Sequence, residues 1–133
     1  VIITDDLEPY LRLKLHILNL GHTYLAGIWK SEGRPQGEFV REILSDRSIR
    51  GRLLDLYEGE IMPGFAARGM GDEARRYMAG TLERFDNPYL DHRISDIFEN
   101  HAIKIDRRAK DFMTWVREKN PAVQFPRLEA LIP

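Results

Sequence analysis

Apolar residues recur at helical spacing along most of the chain, most densely between Pro9 and Trp29. At about 100° per residue, Arg12, Thr23 and His16 share one narrow polar stripe. Leu11, Leu13, Leu15, Ile17, Leu18, Leu20, Tyr24, Leu25, Ile28 and Trp29 fill nearly all the rest. A helix apolar almost all round is a buried helix. Lys14 points away from the polar stripe, among Leu11, Leu18 and Leu25, while Asn19 and His22 lie one turn apart on neighbouring flanks of the same apolar side. Burying an ammonium is expensive unless it is paired or gives up its proton. Either Lys14 snorkels and the other two hydrogen-bond inside a core, or the three polar groups serve chemistry.

Upstream, Val1-Ile2-Ile3, closed by Thr4-Asp5-Asp6, predicts a short strand, with residues 1–7 the remnant of a link to a preceding domain. Asp5, Asp6 and Glu8 ahead of Pro9 make a helix start. Downstream of Lys30, residues 31–37 are a Gly- and Pro-bearing loop. A short helix is expected near Glu38 to Leu44, then a longer one from Ser48 with Ile49, Leu53, Leu56 and Glu60 or Ile61 inward, kinked or ended at Pro63-Gly64. After a turn at Arg68 to Gly71, helical faces follow at Ala74 to Phe85, at Leu90, Ile94, Ile97 and Phe98, and at Ile105 to Val116. The proline-bearing tail predicts an extended segment with at most a short helix. The expected fold is all-α, a single bundle-like domain of about six helices over residues 1–133.

Composition narrows the function classes. The chain has 133 residues, 43% apolar and 31% charged, with a net charge of −1. That describes an ordinary globular domain and offers no basic stripe for nucleic acid or an acidic membrane surface. No apolar run approaches the roughly 18 residues of a membrane span. The absence of cysteine excludes disulfides and thiolate chemistry and fits a cytoplasmic enzyme. The chain starts without Met or a basic leader, as a piece of something longer would.

Lys14-x4-Asn19-x2-His22 on one apolar helix, with Leu15, Ile17-Leu18 and Thr23 around it, resembles the signature of the mannitol dehydrogenase family, the long-chain polyol and hexuronate dehydrogenases. There it opens the helical C-terminal domain. Arg84-Phe85-Asp86-Asn87-Pro88-Tyr89 is similar to that family's Arg-Phe-x-Asn-Pro-Tyr block. Lys104 stands where the family keeps a substrate-binding lysine, and His92, followed by Arg93, matches a histidine of the hexuronate branch. Two departures bear on substrate choice. Asn100-His101-Ala102-Ile103-Lys104 replaces the common Asp-Gly-Ser-x-Lys, and Asp96 is an acid where mannitol-type members tend to carry an arginine.

Taken alone, His92-Arg93 and Arg107-Arg108 read as solvated helix faces. His16 and His22 lack the i, i+4 spacing of a helical zinc pair, and nothing completes an oxygen-rich site at Asp91, His92 and Asp96, so no metal is expected. Gly69-x-Gly71 is no dinucleotide fingerprint.

The resemblance therefore implies one half of an enzyme, a substrate-binding and catalytic domain whose NAD or NADP sits mainly on a separate N-terminal Rossmann domain. Its partner is a small polyol or keto-sugar acid. Lys14 and Asn19 are the expected catalytic residues, and His22, His92, Arg93 and Lys104 the expected substrate contacts. His92 and Lys104 should then approach the Lys14 helix closely enough to bound one small molecule. Desolvation by Leu11, Leu18 and Leu25 would bring Lys14 from its ordinary pKa near 10.4 toward the roughly 7–8 of a catalytic lysine. Two other classes stay open on the residues alone: a non-catalytic scaffold or dimer-forming bundle, and a stand-alone helical regulator.

Overall fold

The structure, a computed structural model, describes residues 3–87 and 92–132, with side-chain surroundings from Glu8 onward. Three long helical bodies, each widened by one π-helical turn, form the frame. The first runs from α1 (Ile3–Leu13) through a π-turn at Lys14–Asn19 into α2 (Leu20–Ser31). After α3 (Val40–Ile43), the second joins α4 (Arg47–Leu56) through Tyr57–Ile61 to α5 (Met62–Ala67). Then come α6 (Gly71–Asp86) and α7 (Ile94–Phe98). The third body joins α8 (His101–Ile105) through Asp106–Lys110 to α9 (Asp111–Arg117), and α10 (Pro126–Glu129) closes the described chain. The fold is all-α, as the 3.6-residue periodicity implies.

Several boundaries moved, each for a physical reason. The expected strand at Val1-Ile2 lies outside the described residues, as do Pro88 to Asp91, but from Ile3 the chain is already helical. Pro9 lies inside the helix rather than at its start. Pro63-Gly64 does not end the second body. The preceding π-turn, in which the Met62 N–H bonds the Tyr57 carbonyl, shifts the hydrogen-bond register just where proline lacks a donor. Gly64 is there for packing, since a Cβ would lie 2.5 Å from the Phe112 ring.

Ile17, Leu20, Leu25, Leu53, Leu56, Phe65, Phe112 and Val116 are at most 0% exposed and centre the core on the first body. Its π-turn packs against α6 and against the π-turns of both other bodies. Asp46 caps α4 by accepting from the Ser48 and Ile49 N–H groups, and buried Glu60 does the same for α10 through Arg127 and Leu128. Among the described residues no helix is long and apolar enough to cross a membrane.

Candidate active site

The π-turn begins at Lys14 and ends at Asn19. Its signature bond runs from the Leu20 N–H to the Leu15 carbonyl, five residues back. A π-turn accommodates one extra residue, so everything beyond it rotates by about 100° relative to an α-helical wheel. Lys14 and Asn19, about 140° apart on that wheel, close to about 40°, and Lys14 and His22 close from about 80° to about 20°. By this winding, one backbone irregularity brings the three polar positions toward one face of the helix. It also swings Leu25 away from Lys14, and Leu25 is fully buried in the core.

The expected desolvation of Lys14 is therefore corrected. Lys14 is exposed, and Leu11, which was to help bury it, is itself 54% exposed. Any surface that dries the ammonium has to close over it from outside the described residues. Asn19 and His22 are half-buried and wall a cavity of about 350 Å³, together with Leu18, Val40, Arg84, Phe85 and His92. The His22 ring sits 4.8 Å from that of Phe85 and 5.2 Å from that of His92, edge to face. His92 is held there by backbone, its carbonyl accepting from the Val40 N–H at 3.0 Å while the Ile94 N–H donates to Glu38.

Burial pushes the His22 pKa down to about 3, and its neighbours His92, Arg108, Arg84 and Lys104 lower it further. His22 is neutral at pH 7 and offers one donor and one acceptor. Lys104 is outside the cavity wall. Its ammonium donates to the Ile97 carbonyl at 2.5 Å, and burial, then Arg108, lower its pKa against Glu99. Its charge is felt at His22. Arg93, exposed, lies over the Phe39 ring at 6.0 Å and does not line the cavity. Of the expected site residues, the cavity wall thus gathers Asn19, His22 and His92, and Lys14, Lys104 and Arg93 are not part of it.

Two residues assigned no role by the sequence support the π-turn. Arg108 is not on a solvated face. It is half-buried and donates to the Asn19 carbonyl at 3.2 Å and to the buried Thr23 hydroxyl at 2.9 Å. His16, fully buried, bonds the Arg108 carbonyl through Nδ1 at 2.9 Å and meets Arg12 through Nε2 at 3.2 Å. Since a guanidinium only donates, the proton is on Nδ1 and the ring is neutral; burial, aided by Arg12 and opposed by the Arg108 carbonyl, holds its pKa at about 4. The polar stripe of the first body is thus its seam with the third. Its partners are more than eighty residues away in the chain, so no local motif announces them.

Among the described residues no three His, Cys, Asp or Glu side chains gather to hold a metal ion. Nor do these helices contain a glycine-rich strand-to-helix turn to cradle a dinucleotide.

Residues 6–128 match the family profile of the mannitol dehydrogenase C-terminal domain, and the chain belongs to that family. It is 29% identical over 106 residues to an altronate oxidoreductase of Bacillus subtilis (strain 168), covering 80% of this chain and 21% of that protein. An altronate oxidoreductase of Escherichia coli O1:K1 / APEC is 31% identical over 108 residues, 81% of this chain and 21% of the relative. A mannitol-1-phosphate 5-dehydrogenase of Aspergillus niger is 25% identical over 107 residues, 80% and 27%. The chain spans about a fifth to a quarter of the length of these relatives. No solved structure matches it.

Proposed function

We propose that this chain is the substrate-binding and catalytic half of an NAD(P)-dependent dehydrogenase that interconverts a polyol or sugar acid and its keto form. The observation that supports this reading is a cavity of sugar size walled by Asn19, His22 and His92 at the end of the π-turn that begins with Lys14. A bound nicotinamide would supply the hydride acceptor for the alcohol carbon. A separate Rossmann domain would hold it, since the described residues do not fit a dinucleotide.

The tasks left to this chain are protonic and orienting. Lys14 takes the hydroxyl proton on its Nζ during oxidation and returns it during reduction, and closure of the cofactor domain over its exposed side chain supplies the desolvation that frees the amine. The Asn19 amide, which makes no hydrogen bond with a described residue, donates to the oxygen as negative charge develops there. Neutral His22, with His92 beside it, bonds a neighbouring hydroxyl and fixes which carbon is presented. Lys104 and Arg93 complete the proposed contacts at the rim. The test is a panel of altronate, mannitol and mannitol 1-phosphate assayed with NAD and NADP on the full-length protein. Cofactor-dependent turnover of at least one supports the reading. Turnover of none, with the protein folded and the cofactor bound, favours a non-catalytic scaffold.

A further inference from the structure

The His92 ring forms no hydrogen bond with a described residue and meets His22 edge to face, so its backbone decides where it stands. That backbone pairs antiparallel with residues 38–40. Phe39 and Arg93 face each other, the Val40 N–H donates to the His92 carbonyl, and the Ile94 N–H donates to the Glu38 carbonyl, each at 3.0 Å. Among the described residues this is the one pairing of strand type. Both of its sides supply the cavity wall, Val40 from one and His92 from the other. A pairing this short is not stable by itself in water, so something else holds it.

The tie is at Arg34. Its guanidinium donates to both carboxylate oxygens of Glu38, at 2.7 and 2.9 Å, and Glu38 is buried. A two-bond pair of this kind fixes orientation as well as distance. Arg34 is itself anchored to the end of α2. Its backbone N–H donates to the Trp29 carbonyl at 3.1 Å, and the Trp29 indole donates to the Pro35 carbonyl at 2.9 Å. The helix that carries His22 in its first turn thus reaches, through Arg34 and Glu38, the segment that carries His92.

We infer that Arg34 and Glu38 are positioning residues of the cavity: their buried pair holds 38–40 against 92–94 and so sets His92 beside His22. Neither side chain lines the cavity. The inference rests on the reading of that cavity as the substrate site proposed above, and adds the device that fixes this part of its wall. The two members of the pair are not equivalent. Glu32 and Asp46 also stand near the Arg34 guanidinium, at 3.6 and 3.5 Å, so neutralising Glu38 leaves Arg34 with other carboxylates. Removing Arg34 instead leaves the buried Glu38 carboxylate without its two donors. A charge so stranded turns outward or draws in water, and the pairing opens with it. α7 packs on α2 in its own right, so loosening the tie should leave the fold in place.

The test is amide hydrogen exchange on the full-length protein, read by mass spectrometry over 38–40 and 92–94, in wild type, Arg34→Gln, Arg34→Lys and Glu38→Gln. Arg117→Gln is the comparator, since Arg117 holds the tail in a similar way, donating to Glu129 at 2.8 Å, and does not line the cavity. Arg34→Gln should speed exchange at Val40 and Ile94 by about tenfold or more, Glu38→Gln and Arg34→Lys by less, and Arg117→Gln not at all. Whichever of altronate, mannitol and mannitol 1-phosphate is turned over should show a KM raised about fivefold or more in Arg34→Gln, with kcat within about threefold. Arg34→Lys should recover part of that loss. Unchanged exchange in Arg34→Gln, exchange that rises equally throughout the chain, or faster local exchange with an unchanged KM overturns the positioning role. If Arg34→Gln does not fold, the milder Glu38→Gln decides the same comparison, with about threefold faster exchange expected and none overturning the role. Exchange is read without substrate, so turnover of no sugar would end the proposed function and leave the tie to be judged by exchange alone.

Discussion

Gly21 and Tyr57 share one space: a Cβ on residue 21 would overlap the Tyr57 hydroxyl, which donates at 2.5 Å to the Ile17 carbonyl inside the Lys14–Asn19 π-turn. Tyr57 is fully buried, and burial raises its pKa, so it remains a neutral donor. The second helical body thereby holds the turn from one side, while Arg108 of the third holds its Asn19 carbonyl from another. A π-turn forgoes ordinary α-helical bonds, and these side-chain bonds help to satisfy its carbonyls.

The pair predicts a double-mutant cycle. Tyr57→Phe removes one buried hydrogen bond and should destabilise by about 1–1.5 kcal/mol, the Ile17 carbonyl retaining the Leu20 N–H. Gly21→Ala should cost about 1–3 kcal/mol through overpacking. Combined, the two should cost less than their sum, because phenylalanine lacks the atom that the new methyl strikes. Denaturant unfolding of the four proteins measures the coupling, and simple additivity would contradict the geometry.

His16 predicts an acid-sensitive seam. Its pKa is about 4 in the folded chain against an ordinary 6.5, so the unfolded state binds the proton more readily. Its neutral form therefore stabilises the fold fully above pH 6.5, and that advantage is lost as pH falls toward 4. The loss is on the order of 3 kcal/mol for this group alone. Unfolding free energies measured from pH 7 to 4 should show the drop, and a His16→Gln variant should show a shallower one.

Arg108 predicts an effect on turnover that exceeds its effect on the fold. Arg108→Lys keeps a charge but cannot bridge the Asn19 carbonyl and the Thr23 hydroxyl in the same way. In the full-length protein kcat should fall about tenfold with KM little changed, the scale expected when an oxyanion donor is displaced by a fraction of an ångström. Equal losses in kcat and in thermal stability would instead make Arg108 a purely structural tie.

Much of this was legible in the amino-acid order. The 3.6-residue periodicity gave helices throughout, and Lys14, Asn19 and His22 stood out because polar groups on an apolar face need a reason. The wheel failed at one point with large consequences. It assumes α-helical winding, and the π-turn at Lys14–Asn19 rotates the downstream positions, so Lys14 is exposed instead of dried by Leu25. The turn depends on Tyr57 and Arg108, both far away in sequence, which a local pattern cannot reveal. Arg84 was in view inside the Arg84-Phe85-Asp86-Asn87 block, but only the packing of α6 shows it in the cavity wall. Pro63 reads as a kink or a stop, and the helix passes it because the preceding π-turn has already shifted the hydrogen-bond register.

Asn19 and His22 should separate cleanly when each is truncated in the full-length protein. Asn19→Ala removes the proposed oxyanion donor and should lower kcat by about 10²–10³. His22→Ala should act chiefly on KM, since it holds a hydroxyl that does not react. Steady-state kinetics on the two variants distinguish these roles, and an unaltered kcat in Asn19→Ala would remove that residue from the chemistry.

The most direct measurement is the pH dependence of turnover in full-length wild type and Lys14→Ala. A lysine that takes the alcohol's proton gives the wild type a rising limb in the oxidative direction, set by ionisation of that amine. Lys14→Ala should lose several orders of magnitude in kcat, flatten that limb, and regain part of its rate when small primary amines are added. Near-normal turnover with an unchanged pH profile would show that Lys14 is not the base and would contradict the account at its centre.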